Sequence, residues 1–157
     1  MYIRIANKND VDRIYLFYKE LFSYLAFLQP DHYKTAEPNR EYLSKIIDDD
    51  NADFLLAVRA DADNETILGF AFLQEQETQP FDCLVYHKFA HLMDILVTQS
   101  FRGKGAGTAL VNAAKQWGKN RGLDYLVLNV LAENKNAMGL YEHEQFQKAS
   151  QIMRFEL

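Results

Sequence analysis

Length, composition and charge exclude several classes of protein. The chain has 157 residues, of which 48% are hydrophobic and 25% charged, so we expect one folded domain over residues 1–157 rather than disorder. A net charge of −5 gives no bulk attraction to nucleic acid, and no run approaches the roughly 20 apolar residues of a membrane span. The lone Cys83 excludes an intrachain disulfide framework. Because MYIRIANKND lacks an apolar signal-peptide core, we expect a cytoplasmic protein that binds neither nucleic acid nor membrane.

The first half of the chain predicts a strand, two helices and a hairpin. Alternation over residues 2–6 is typical of a short strand. A helix is expected to begin near Asp10, and a second one follows Pro38. The apolar runs 54–58 and 66–73 are separated by the turn-like DADNE and predict an antiparallel hairpin. Residues 74–91 carry no clear pattern.

The second half predicts a parallel crossover. Apolar runs at 92–98 and 125–131 read as strands, and residues 106–121 between them as a helix. One face of that helix is apolar, with Leu110, Ala113, Ala114 and Trp117. A last helix is expected over 135–144, and the segment from Phe146 is strand-like.

The stretch RGKGAG (102–107) lies at the carboxyl end of the first of these strands and opens the helix. Helix N-termini present unpaired N–H groups and a positive dipole, and glycines let an anion approach the backbone. Arg102 and Lys104 add positive charge, so the stretch predicts a phosphate site. The P-loop and the dinucleotide fingerprint are both excluded, because the glycines follow the pattern GxGxG and no Gly-Lys-Ser/Thr ends it.

This stretch resembles the acyl-CoA pyrophosphate loop of the GNAT superfamily of N-acetyltransferases. The family pattern of Arg or Gln, two residues, Gly, one residue, then Gly or Ala is matched by Arg102, Gly105 and Gly107. A valine stands at the strand end (Val97), and NKNAMGLYEHEQF (134–146) is similar to the family's N-x-x-A-x-x-x-Y-E-x-x-G-F. The resemblance covers nearly the whole chain. It implies an α/β GNAT fold: a mixed, mostly antiparallel sheet with a central splayed parallel strand pair (92–98 and 125–131) and about four helices.

The resemblance also implies acetyl-CoA as cosubstrate and assigns the residues that bind it. The pyrophosphate is expected at the loop formed by Arg102, Gly103, Lys104, Gly105, Ala106, Gly107 and Thr108. The pantetheine arm is expected to pair with the backbone of Ile95, Leu96 and Val97, with Asn134 as a further contact. Each of these features also has a plainer interpretation. The loop could be a solvated basic turn, residues 95–97 an ordinary core strand, and Asn134 a helix cap.

Tyr141 is the expected general acid. When an amine attacks a thioester the departing group is a thiolate, and a phenol within hydrogen-bond reach can protonate it. The plainer alternative is a core tyrosine. The resemblance implies direct attack by the amine in one ternary complex, so a base must also take a proton from the amine.

The base is less clearly marked than the acid. Some family members use a glutamate five residues before the position of Asn134, but Asn129 stands there and cannot act as a base. Asp94 is the best candidate, with an ordinary strand carboxylate as the alternative. His87 and His91 are weaker candidates, and their HxxxH spacing lacks the glutamate of a zinc motif, so we expect no metal.

The acceptor side is marked only by composition. Residues 15–33 hold seven aromatics that are expected mainly in the core, with any others lining an acceptor site. We expect a primary amine of a small molecule or peptide as acceptor, and a non-catalytic acyl-CoA sensor is the alternative function. Gln145 stands where the family has glycine, which costs about 1–2 kcal/mol if that turn keeps a positive φ. The family often ends in two strands, but only 12 residues follow Gln145. We therefore expect one final strand, or a strand supplied to the partner in a homodimer.

Overall fold

The structure is a computed structural model that describes residues 1–61 and 64–157. The centre of the predicted DADNE turn therefore lies outside the described residues. The helices and strands, in chain order, are β1 (Tyr2–Ile5), α1 (Val11–Leu28), α2 (Arg40–Ile47), β2 (Ala52–Asp61), β3 (Asn64–Glu77), β4 (Lys88–Val97), α3 (Ala106–Asn120), β5 (Leu126–Leu128) and α4 (Lys135–His143).

The five strands form one mixed sheet in the order β1-β2-β3-β4-β5. The first three neighbouring pairs are antiparallel, and only β4 and β5 run parallel. The expected fold class, a mixed and mostly antiparallel sheet with one parallel strand pair and four helices, is confirmed. The pair was expected at the centre of the sheet, but β5 is the edge strand of the described sheet, because no described strand pairs with its other side. Among the helices of the described ranges, none combines the length and apolarity needed to cross a membrane.

Several boundaries differ from the sequence prediction. β2 and β3 extend beyond the predicted runs 54–58 and 66–73, because they pair with each other over nearly their whole length. β4 begins at Lys88 instead of residue 92, because its first residues pair with the long end of β3. β5 is confined to Leu126–Leu128, the residues with partners on β4, although the apolar run continues to Leu131. The segment after Phe146 forms no strand, since no described strand pairs with it, and Ile152 and Phe155 are exposed. An alternating pattern makes a strand only where a neighbour takes its backbone hydrogen bonds.

Helices cover both faces of the sheet. On one face α1 and α2 enclose an aromatic core in which Phe17, Phe54 and Phe70 are each at most 1% exposed. On the other face α3 and α4 pack on the sheet through buried side chains: Leu110, Val111, Ala114, Trp117 and Tyr141. The predicted apolar face of α3 is thus shifted slightly, with Val111 fully buried and Ala113 at its margin.

A β-bulge in β4 separates the two halves of that strand. Phe72 lies opposite Asp94 and Leu73 opposite Leu92, so Met93 is an extra residue. Leu92 consequently belongs to the core under α3, whereas Leu96, an even number of residues later, belongs to the core under α1. Pairing with β5 also ends at Leu92. The carboxyl half of β4 therefore leaves the parallel pair, as the splayed-pair prediction requires.

Candidate active site

The carboxyl half of β4 presents an open backbone edge. The Thr98 amide donates to the Leu68 carbonyl oxygen at 3.0 Å, and the Leu96 carbonyl oxygen lies against Gly69 of β3. Because strand backbone groups alternate in direction, the amides and carbonyls of Ile95 and Val97 face away from β3. Gly69 permits this approach: a Cβ there would lie 2.2 Å from the Leu96 oxygen. Sequence analysis missed Gly69, which looked like an ordinary strand residue.

The glycine-rich loop leads from this edge into α3. Gly103 and Gly105 have φ values of 71° and 84°, in the left-handed region that favours glycine. Gly105 is the N-cap of α3 and has no side chain to cap it, so the first amides of the helix have no acceptor from their own cap residue. Gly107 faces α4, where a Cβ would lie 3.2 Å from Leu140. The loop therefore presents backbone N–H groups at the start of α3, the geometry that the predicted phosphate site needs.

The two basic side chains of the loop contact nearby groups of the protein. Arg102 Nε donates to the Val97 carbonyl oxygen at 2.9 Å, and its guanidinium lies 3.7 Å from Glu20 of α1. Lys104 Nζ donates to the Ser100 carbonyl oxygen at 3.0 Å. Glu20 also accepts the Gln99 amide at 3.3 Å. Sequence analysis did not place this carboxylate at the loop, because α1 and the loop are far apart in the chain.

An open cavity of about 550 Å³ adjoins this region and is lined by Glu20, Thr98, Gln99 and Ser100. Thr98 Oγ1 is buried without a hydrogen-bond partner among the described residues. The end of β4 thus combines open backbone, positive charge and a concave surface.

Asn134 follows β5 and begins α4. Its side-chain oxygen accepts the Ala137 amide at 3.2 Å, which is an N-cap bond, and also accepts the Tyr24 hydroxyl at 3.3 Å. The plainer interpretation, a helix cap, is therefore correct, and it leaves the predicted cofactor contact open, since the amide nitrogen remains a donor.

Tyr141 lies on α4 and is 7% exposed, within the core between α3 and the sheet. Burial, together with the nearby Asp94 carboxylate, raises the pKa of Tyr141 to about 12. Its carbonyl oxygen accepts the Phe146 amide at 2.9 Å, and the two rings lie 5.7 Å apart. Tyr141 is thus both a core residue and a phenol that keeps its proton at neutral pH.

Asp94 follows the bulge and faces α1. The hydroxyl of Tyr18, a buried residue of α1, donates to its carboxylate at 2.9 Å. Burial raises the pKa of Asp94, and the Tyr18 hydrogen bond partly opposes this. The structure brings Asp94 close enough to Tyr141 to influence its pKa, so an acid and a candidate base lie near each other. Tyr18 was expected only as one of the seven aromatics of residues 15–33, and its contact with Asp94 was not predicted.

The histidines of the HxxxH spacing are separated, because the segment containing them leads into a strand and not a helix. A strand rises about 3.3 Å per residue, which places them about 13 Å apart. His87 Nδ1 lies 2.9 Å from Asp124. His91 contacts Gln76 and Asn129 at 3.2 and 3.4 Å, and burial lowers its pKa. Cys83 is exposed in the loop before β4.

Known proteins resemble this chain in both sequence and structure. The uncharacterized N-acetyltransferase YobR of Bacillus subtilis is 40% identical over 53 residues, 34% of this chain and 22% of that protein. The uncharacterized N-acetyltransferase MJ1207 of Methanocaldococcus jannaschii is 41% identical over 59 residues, 38% of this chain and 26% of that protein. The chain thus spans about a quarter of the length of these curated relatives.

Two solved structures illustrate the likeness in fold. A mutant of the BH1408 protein from Bacillus halodurans has a TM-score of 0.92 at 21% identity, covering 100% of this chain and 99% of that one. The aminoglycoside N-acetyltransferase AAC(6')-Iy, in complex with CoA, has a TM-score of 0.71 at 21% identity, covering 99% and 98%. The model of the acetyltransferase (GNAT) family matches residues 11–145. The chain therefore belongs to the GNAT acetyltransferase family.

Proposed function

We propose that this protein transfers an acetyl group from acetyl-CoA to a primary amine of a small molecule or peptide, within one ternary complex. The observation that carries the proposal is a convergence at the splayed strand pair. The open edge of β4 leads directly into the glycine loop of α3. Asp94 lies on the same half of β4, and Tyr141 is near enough for that carboxylate to raise its pKa.

The residues present fit an acyl-CoA. The amides of residues 103–108 and the charges of Arg102 and Lys104 would hold the pyrophosphate at the start of α3. The open edge from Ile95 to Val97 would pair with the amide-containing pantetheine arm, mainly through Ile95 and the Val97 amide, because the Leu96 carbonyl faces β3 and the Val97 carbonyl oxygen accepts Arg102 Nε. The Asn134 side-chain nitrogen adds a hydrogen-bond donor on the β5 side of the space between the splayed strands. Acetyl-CoA itself supplies an activated thioester.

Two side chains are proposed to move the protons of the reaction. The amine nitrogen bonds to the thioester carbonyl carbon and the carbon–sulfur bond breaks, so the nitrogen loses a proton and the sulfur gains one. Tyr141 is the proposed donor to sulfur: with a pKa of about 12 it stays protonated at neutral pH. Asp94 is the proposed acceptor from the amine, directly or through water. Its raised pKa makes it a stronger base than an ordinary aspartate.

The acceptor is proposed to approach from the α1 side. Two of the seven aromatics of residues 15–33, Phe17 and Tyr18, are buried. Phe27 and Tyr33 are 80% and 38% exposed and so remain available to line an acceptor surface. The aminoglycoside acetyltransferases of similar fold include one in complex with sisomicin, and an amine-bearing small molecule is the corresponding proposal here.

Replacement of Tyr141 by phenylalanine tests this assignment. Tyr141→Phe should still be stabilised by acetyl-CoA in a thermal-shift titration, and by neither ATP nor NAD. Its turnover should fall by about 10²–10⁴-fold, because a general acid is lost. Tyr2→Phe is the matched control, since Tyr2 lies on β1 at the far edge of the sheet and its hydroxyl contacts Glu65. Acetyl-CoA binding by the unmodified chain without turnover on any amine would favour the sensor alternative.

A further inference from the structure

Tyr24 of α1 contacts both sides of the splayed strand pair. Its ring centroid lies 5.1 Å from the guanidinium carbon of Arg102, which follows β4. Its hydroxyl donates to the Asn134 side-chain oxygen at 3.3 Å, and Asn134 follows β5. One side chain from a helix outside the sheet thus connects two residues that precede α3 and α4.

The surroundings of Tyr24 indicate that core packing is not its main role. Within the described part of the chain, its helix neighbours Phe22 and Leu25 pack against the buried cluster under α1, whereas Tyr24 belongs to neither buried cluster. Its side chain is half-buried. Tyr24 contributes little to the core, so we expect replacement of this side chain to act mainly through Arg102 and Asn134, the two residues that it contacts.

We infer that Tyr24 is a positioning residue for the acyl-CoA, setting Arg102 for the pyrophosphate and Asn134 for the pantetheine arm. This rests on the proposed function. The inference adds a residue on α1 that the family-like motifs of the second half of the chain do not include.

The hydroxyl of Tyr24 orients the Asn134 amide. The Asn134 oxygen accepts from both the Ala137 amide and the Tyr24 hydroxyl. Because both hydrogen bonds hold the Asn134 oxygen toward α4 and Tyr24, the nitrogen of the same amide points away from them. It can then donate to a carbonyl of the pantetheine arm. Loss of the Tyr24 hydroxyl leaves the cap bond in place but releases the second restraint on the amide.

The ring of Tyr24 holds Arg102. A guanidinium over an aromatic face is attracted by the ring quadrupole, and the same guanidinium donates to the Val97 carbonyl oxygen. The side chain is therefore held between the strand end and α1, beside the glycine loop. A planar guanidinium held in this way can offer paired donors to a phosphate.

The two contacts predict separable effects. S-acetylpantetheine carries the thioester and the pantetheine arm but no pyrophosphate or nucleotide. Loss of the Asn134 contact should raise KM for both acetyl donors, acetyl-CoA and S-acetylpantetheine. Loss of the Arg102 contact should raise KM only for acetyl-CoA. Tyr24→Phe removes the hydroxyl and keeps the ring, and Tyr24→Leu removes both.

The experiment measures KM for each donor and for the amine, together with kcat. For Tyr24→Phe we expect KM to rise about fivefold with both donors, the effect of one ordinary hydrogen bond. For Tyr24→Leu we expect a rise of about 10–30-fold with acetyl-CoA, and with S-acetylpantetheine only the rise seen for Tyr24→Phe. The kcat and the KM for the amine should stay within about twofold of the unmodified protein, since Tyr24 touches neither reacting atom.

Tyr15→Phe is the matched control. It deletes a hydroxyl from the same helix, where Tyr15 contacts Glu37 instead of the splayed pair, and it should leave every constant unchanged. The inference is overturned if Tyr24→Phe leaves both donor KM values unchanged. It is equally overturned if KM for donor and amine rise together with a lowered Tm, as a purely structural role would give. If the unmodified protein neither binds nor uses acetyl-CoA, the proposed function itself fails, which is a distinct result.

Discussion

Replacing Gln145 with glycine should stabilise the protein. Gln145 has a φ of 66°, and within the described ranges it is the only non-glycine residue with positive φ. It directly follows the last turn of α4, where the Phe146 amide donates to the Tyr141 carbonyl oxygen, as in a Schellman C-cap. The turn therefore keeps the geometry that usually selects glycine, although this chain places glutamine there.

The gain follows from two opposing contributions. A non-glycine residue in the left-handed region costs about 1–2 kcal/mol, and the added backbone entropy of glycine in the unfolded chain offsets about 0.5–1 kcal/mol. Gln145→Gly should therefore raise the free energy of unfolding by about 0.5–1 kcal/mol. For a chain of this size that corresponds to a Tm increase of about 1–4 °C.

Urea denaturation of two variants tests this reasoning. Gln145→Ala removes the amide but keeps Cβ, so the backbone strain persists and stability should stay within about 0.5 kcal/mol of the unmodified protein. Gln145→Gly should be the more stable of the two. If the glycine and alanine variants unfold at the same urea concentration, the positive φ imposes no strain and the reasoning is wrong.

Three further changes have directional outcomes. Gly69→Ala should lower the free energy of unfolding by about 1–3 kcal/mol in urea titrations, because its Cβ would lie 2.2 Å from the Leu96 carbonyl oxygen. Glu20→Gln should tighten acetyl-CoA binding about two- to fivefold by calorimetry, because in the proposed complex its carboxylate would compete with the pyrophosphate for the Arg102 guanidinium. Tyr18→Phe should move the acidic limb of kcat/KM for the amine to higher pH. The lost hydrogen bond had lowered the pKa of Asp94, and the proposed mechanism requires its carboxylate.

Each of these changes has a control or a contradicting outcome. Gly139→Ala is the counterpart of Gly69→Ala, since nothing lies within 4 Å of its added Cβ and the helix should be unchanged or more stable. Weaker acetyl-CoA binding by Glu20→Gln would show that Glu20 supports the loop instead of competing for it. An acidic limb that does not move in Tyr18→Phe would remove Asp94 from the proposed mechanism.

Local patterns predicted the parts of the fold that local forces determine. The helical spacing predicted the start of α1, the position of α2 after Pro38 and both ends of α3 to within about two residues, and the glycines of 102–107 predicted the loop in which Gly103 and Gly105 have positive φ. The alternation after Phe146 predicted a strand that does not form, because strand formation depends on a neighbour that the local pattern does not reveal. The bulge at Met93 was equally invisible, since one extra residue changes no local preference.

The sequence could suggest those candidate site residues that lie along one stretch of chain, but not the contacts between residues that are distant in the chain. Tyr141 and Asn134 follow from the motif of residues 134–146. Tyr18 and Tyr24 were expected only among the aromatics of residues 15–33 that form the core or line an acceptor site. Their contacts with Asp94 and Asn134, and the contact of Glu20 with the Gln99 amide, arise only when α1 packs beside β4 and the loop. The residue spacing along α1 indicated a helix but not which groups it would meet.

The most direct test of the account is amine-dependent release of thiol from acetyl-CoA. The purified chain would be incubated with acetyl-CoA and a panel of small-molecule and peptide primary amines, and both the free thiol and the acetylated product would be quantified. The account predicts equal amounts of thiol and acetylated amine with at least one acceptor, and no thiol release above hydrolysis without an amine. Thiol release that is the same with and without every amine in the panel would contradict it.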